Sequence, residues 1–88
     1  MVPYPPKAKK AGIQGKVAFS ALIGIDGKVE KVHIDHSDHK IFNQAVIDAV
    51  RKIEFKPALD GNNKPVRVWY SQTISFKIMS NADEQDYH

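Results

Sequence analysis

The stretch KPVRVWYSQTISFKI, residues 64–78, decides how the chain is read. Val66, Val68, Tyr70, Ile74, Phe76 and Ile78 fall on one side of an extended chain, and Arg67, Trp69, Ser71, Thr73, Ser75 and Lys77 fall on the other. Gln72 is the one polar interruption of the apolar side. A period of two predicts a half-buried β-strand, because side chains alternate across the pleat. At 15 residues the stretch is long beside the usual strand of about 5–6 residues. A long strand in a small domain must be covered on both edges or offer one edge to something else.

Working back from that strand, residues 16–25 alternate in the same way, with Val17, Phe19, Ala21, Ile23 and Ile25 on the apolar side. Asp26-Gly27 follows at once and predicts a two-residue hairpin turn of type I′. The chain returns over residues 28–36. Val29 is out of phase with Val32 and Ile34, which places a bulge near residues 29–31. Residues 41–53 change period: Phe42, Ala45, Val46, Ala49, Val50 and Ile53 lie on one helical stripe. Ser37 or Asp38 is placed to cap that helix. Ahead of the first strand, Pro3, Pro5 and Pro6 followed by Lys7-Ala8-Lys9-Lys10-Ala11 predict a short helix stopped by Gly12. Residues 54–65 read as a loop, with Phe55 turned toward the core, and residues 80–88 as a disordered polar tail.

The order is short helix, strand, strand, long helix, strand. The last strand most simply joins the sheet through the first. The expected architecture is α+β: a two-layer sandwich, a three-stranded antiparallel sheet with one long and one short helix packed on one face. The opposite sheet face, with Ala18, Ser20, Leu22, Lys31, His33, Trp69, Ser71, Thr73 and Ser75, is small and polar. Eighty-eight residues make one domain, with residues 1–79 forming it and 80–88 lying outside.

Composition excludes several classes. There is no cysteine, so no disulfide, thiolate metal site or cysteine nucleophile. The net charge of +3 is mild and its signs are mixed; the densest basic run, Lys7, Lys9 and Lys10, reads as a solvated face. No apolar run is long enough to span a membrane, and no signal peptide is evident. Met1 is consistent with the start of an expressed fragment whose anchor lies elsewhere. Serines 20, 37, 71, 75 and 80 sit in no nucleophile motif, and the glycines match no phosphate loop, so no catalytic residue is assigned. His33, His36 and His39 with Asp35 and Asp38 invite a metal reading. On a regular strand His33 and His36 point to opposite sides, so no metal site and no cofactor are expected.

Several stretches in order resemble the C-terminal domain of TonB, the energy transducer of Gram-negative bacteria, over residues 4–78. They are Tyr4-Pro5 with Ala8 and Gly12-Ile13-Gln14-Gly15-Lys16-Val17; Asp26-Gly27-Lys28-Val29 with Val32 and Ile34; Ser37, Phe42, Ala45, Ala49-Val50 and Phe55-Lys56-Pro57-Ala58; and Gly61, Val66 and Ile74-Ser75-Phe76. The chain departs from the family pattern at Ile53-Glu54, where an aromatic and a basic residue are usual, and at Asp38, where a second serine is common. It departs again at Thr73, where a proline is frequent; threonine restores a backbone donor to the last strand.

The resemblance implies a periplasmic domain of a protein anchored in the inner membrane by a segment that would precede it. It implies that an outer-membrane receptor's TonB box adds to the sheet beside the last strand. It also implies an inner-membrane motor complex that reaches the domain through the missing N-terminal part and supplies force from the proton gradient. The expected partner-binding residues are Val66, Arg67, Val68, Trp69, Tyr70, Ser71, Gln72, Thr73 and Ile74, with Trp69 and Tyr70 as anchors and Arg67 steering an acidic segment. An uncovered edge can also pair with a second copy, so a homodimer is among the expected partners. The alternatives are a related envelope module that bridges proteins without energising transport, and a single-stranded nucleic-acid binder. The latter wants aromatics over adjacent strands of the open face, where only Trp69 stands, so nucleic acid is not an expected partner.

Overall fold

The computed structural model describes residues 2–78; the expected tail at 80–88 lies outside the described residues. Helix α1 (Pro6–Lys10) starts on proline and ends as predicted, with Gly12 at φ 71°. The amides of Gly12 and Ile13 return to the carbonyls of Lys9 and Ala8 at 3.2 and 2.9 Å, which satisfies the last turn. Strand β1 (Gly15–Ile23) and strand β2 (Val29–Ser37) form the hairpin. Helix α2 (Asn43–Arg51) follows a single 3-10 turn over Lys40–Phe42. Strands β3 (Ala58–Leu59) and β4 (Pro65–Val66) pair with each other, and β5 (Val68–Phe76) pairs antiparallel with β1. The main sheet runs β2-β1-β5, three-stranded and antiparallel, with the helices on one face. This is the expected two-layer α+β sandwich.

The core lies between the layers. Val17, Phe19, Ala21 and Ile23 of β1, Phe76 of β5, Phe42, Val46 and Val50 of the helical segment, and Ala8 of α1 are all buried. Phe42 and Phe76 stack with centroids 4.2 Å apart and planes 5° from parallel. The ring of Tyr4 stands edge-on to both, at 5.9 and 5.4 Å, and its hydroxyl donates to the Ile13 carbonyl. One aromatic cluster therefore ties the N-terminal segment, the start of α2 and the end of β5 together. Edge-to-face pairs add about 0.5–1.5 kcal/mol each beyond their burial.

Four local expectations are corrected. The long strand is not continuous: Val66 pairs with Ala58 in its own small hairpin, and pairing with β1 begins only at Val68. The physical reason is the turn at Asp60, whose Oδ1 accepts the amides of Asn62 and Lys64 at 2.8 and 3.0 Å. That turn folds residues 58–66 back on themselves, so the stretch read as a loop holds a hairpin.

The β1–β2 turn is a three-residue connection rather than type I′. Gly24 N–H donates to Lys28 O, Gly27 N–H donates to Gly24 O, and only Gly27 takes positive φ, at 83°. A Cβ on Gly27 would also overlap the Phe55 carbonyl oxygen, which accepts no substitute for glycine there.

Neither Ser37 nor Asp38 caps α2. Asp38 Oδ2 instead accepts the Lys16 amide at 2.7 Å, and Ser37 Oγ donates to His39 O at 2.9 Å. The carboxylate is spent on closing the β1–β2 pair, so the helix opens with the uncapped 3-10 turn.

His33 and His36 share a face. The expected bulge near Glu30 is present, but a second lies at Asp35: Ala18 pairs with His36 and Phe19 with Ile34. The extra residue shifts the phase, and both imidazoles fall on the face of Ala18 and Ser20.

Candidate functional site

Strand β5 is bonded to β1 along one side and, among the described residues, has no strand partner on the other. The direction of its backbone groups follows from β1. Lys16 O accepts from Asp38 N and Gly24 N donates to Lys28 O, so the even-numbered residues of β1 turn their polar groups toward β2. Its odd-numbered residues therefore turn theirs toward β5, where Val17, Phe19, Ala21 and Ile23 face Ile74, Gln72, Tyr70 and Val68. The remaining β5 residues, Trp69, Ser71, Thr73 and Ser75, present their N–H and C=O groups outward. Thr73 thus carries its amide hydrogen on the free side. The edge there is an unbroken row of donors and acceptors.

The flanks of this edge are apolar at one end. Trp69 lies on the open face beside Leu22 and is 54% exposed. On the helix-covered face Tyr70 is 40% exposed, although its ring packs on Phe55 at 5.4 Å and Phe19 at 6.4 Å. Val66 and Val68 are also exposed. Phe42 and Tyr4 cover the other end of β5, where Phe76 is its one buried residue. Large apolar side chains are thus left in water along the first half of β5, the arrangement expected of a contact surface. Ser71, Gln72 and Thr73 are exposed and Ile74 is half-buried.

Arg67 does not extend toward the free edge. Its Nε donates to Glu30 Oε1 of β2 at 2.8 Å, and this carboxylate holds the guanidinium above its ordinary pKa. Of the nine residues named for the site, Arg67 is thus turned inward over the sheet.

The open face carries a polar chain. Ser20 Oγ donates to Asp35 Oδ2 at 2.6 Å and stands 2.9 Å from Ser71 Oγ, while His33 Nδ1 lies 2.7 Å from Asp35 Oδ1. The Ser20 hydroxyl and the His33 ring hold Asp35 below the usual carboxylate range. The carboxylate sits between serine and imidazole, so the imidazole cannot take the serine proton and no activated nucleophile results. His36 pairs with Asp38 at 3.0 Å. Among the described residues no group of three or more ligating side chains converges.

Residues that sequence reasoning did not assign also border the edge. A groove of about 450 Å³ runs along the helix-covered side of β5, walled by Val2, Phe19, Val50, Ile53 and Ile74. Ile53 belongs to the helical stripe but lies past the last turn and is 39% exposed. The sequence marked it only as the last residue of the apolar stripe.

A helix-backed antiparallel sheet whose terminal strand is open on one side defines a small α+β domain of the strand-presenting class. The chain belongs to the TonB C-terminal domain family: the family described as Gram-negative bacterial TonB protein C-terminal matches residues 2–78. It is 32% identical over 62 residues to Protein TonB of two Xanthomonas campestris pv. campestris strains, B100 and ATCC 33913, covering 69% of this chain. The chain spans 28% of the length of those relatives. Its fold matches the solution structure of the Pseudomonas aeruginosa TonB C-terminal domain with a TM-score of 0.78 and 28% identity, over 91% of this chain and 81% of that one. It matches the Helicobacter pylori TonB C-terminal domain at 0.69 and 25%, over 90% and 71%. Among the described residues no helix is long and apolar enough to cross a membrane.

Proposed function

We propose that this domain is the periplasmic grip of a TonB-type energy transducer. It takes the TonB box of an outer-membrane receptor as an added strand on β5 and passes on force from an inner-membrane motor complex, reached through an anchored segment ahead of it. The single observation behind this reading is the side of β5 that no strand covers among the described residues, with the backbone groups of Trp69, Ser71, Thr73 and Ser75 turned outward. Each backbone hydrogen bond exchanged for one with water is worth about 0.5–1.5 kcal/mol net. A handful of them gives a weak, readily reversed hold, and side-chain contacts with Trp69 and Tyr70 add to it. Val66, Val68, Gln72 and Ile74 complete the strand, and Arg67 serves a guest carboxylate only after leaving Glu30.

The family gives the receptor reading its support, and membership supports a binding and transducing domain rather than an enzyme. An NMR titration with peptides from receptor N-termini tests it. Amide shifts concentrated on residues 66–74 are expected; shifts centred on residues 7–10 or 33–39 would remove the site from β5. Trp69→Ala is expected to weaken peptide binding, and unchanged affinity takes Trp69 out of it.

A further inference from the structure

The groove beside β5 has a shape and lining that the backbone edge alone does not require. Its apolar wall comes from three places: Val50 and Ile53 on α2, Phe19 and Ile74 on the sheet, and Val2 on the N-terminal segment. Gln72 and Ile74 point to this side of the sheet, since they share the phase of buried Phe76. A strand added to β5 would lie about 4.8 Å further out, with every second side chain on the same side. Those side chains would project into the space between β5 and the end of α2. The groove's 450 Å³ exceeds one aliphatic side chain, so it admits such a group without rearrangement. Among the described residues no carboxylate borders it.

From this geometry we infer that the groove is a side-chain subsite of the docking edge, taking an aliphatic residue of the guest strand, with Ile53 as the wall that sets its size. The inference rests on the strand-addition reading and deepens it: the guest carries aliphatic residues at alternate positions on the groove side, and a basic residue there meets no carboxylate. Ile53 suits the role because it is apolar, exposed and held at the end of a packed helix. Val50 behind it is buried and belongs to the core, so it forms the floor and Ile53 the outer side.

The test is a double-mutant cycle with a synthetic peptide of about eight residues alternating valine and threonine, and a second peptide with alanine in place of valine. Replacing the valines is expected to weaken binding to the wild-type domain by about tenfold, as lost apolar burial of this size implies. Against Ile53→Ala the same replacement is expected to cost less than about threefold, because the wall has already gone. Equal losses against both domains overturn the subsite. Ile53→Trp, which fills the groove, is expected to weaken the valine peptide by about tenfold; wild-type affinity there also overturns it. Amides of Trp69, Ser71 and Thr73 are followed in parallel. If they move while the cycle shows no coupling, the subsite falls and strand addition stands. If they do not move, strand addition itself falls.

Discussion

Arg67 and Glu30 meet at 2.8 Å across the full width of strand β1, and Gly24 is what lets them. A Cβ on Gly24 would stand 2.6 Å from Glu30 Oε2. The missing side chain leaves a shallow passage over which the β2 carboxylate reaches the start of β5. This contact ties the two outer strands of the sheet together at the hairpin end, while the Phe42–Phe76 stack ties the opposite end to the helix layer.

Gly24 and Gly27 should therefore respond differently to alanine. At Gly24 the clash is with the far end of a flexible side chain, which can swing away and release Arg67. Gly24→Ala is expected to leave the urea midpoint nearly unchanged, because the pair it releases is exposed. At Gly27 the obstacle is the Phe55 backbone and φ is 83°. Gly27→Ala is expected to cost at least about 2 kcal/mol. Urea midpoints of the two variants check the order.

Proline scanning of β5 reads out which backbone groups face outward. Thr73→Pro removes an outward N–H and should leave the fold standing while weakening peptide binding by about three- to tenfold, the worth of one hydrogen bond. Gln72→Pro removes an N–H directed at β1 and should disrupt the edge strand. Thermal melts and peptide titrations on both variants decide; the reverse pattern would overturn the strand polarity derived above.

The aromatic cluster carries much of the stability. Phe76→Ala is expected to destabilise by about 3–5 kcal/mol, a large part of the total for a domain of this size. Tyr4→Phe loses only the bond to the Ile13 carbonyl, costing about 1 kcal/mol and lowering Tm by roughly 4–8 °C. Calorimetry on the two variants checks both.

Acid should weaken the β1–β2 hairpin in a defined direction. The Lys16 amide and then the His36 ring hold Asp38 below the usual carboxylate range, and the Ser20 hydroxyl and then the His33 ring do the same for Asp35. A depressed folded-state pKa contributes stability that is fully present above the unfolded value, about pH 4, and is lost as pH falls through the folded value. Urea midpoints should thus be flat for these two groups from pH 7 to about 5 and fall below about 4. Asp38→Asn, whose side-chain oxygen still accepts the Lys16 amide, is expected to show a shallower fall.

The layer architecture was legible because its signals are periodic and redundant. Val17, Phe19, Ala21 and Ile23 alternate over a whole strand, and Phe42, Val46 and Val50 recur at helical spacing; all are buried. The nine residues named for the edge were legible as a strand but not as an edge. Nothing in their alternation distinguishes Thr73, whose amide faces outward, from Gln72, whose amide faces β1. Arg67 looked available for a guest because Glu30, 37 positions away, cannot be paired with it from spacing.

The chain's own pattern determined the two-layer sandwich, the hairpin, the short first helix and the buried face of the first strand, since these follow from local period and turn chemistry. Tertiary structure alone decided where the last strand breaks, that a second bulge brings His33 and His36 to one face, that Asp38 closes a strand pair instead of capping a helix, and that a groove opens between Ile53 and β5. Those features arise where distant segments compete for the same backbone amide, carboxylate or space. Such competition is settled by the assembled geometry and leaves no local mark in the order of residues.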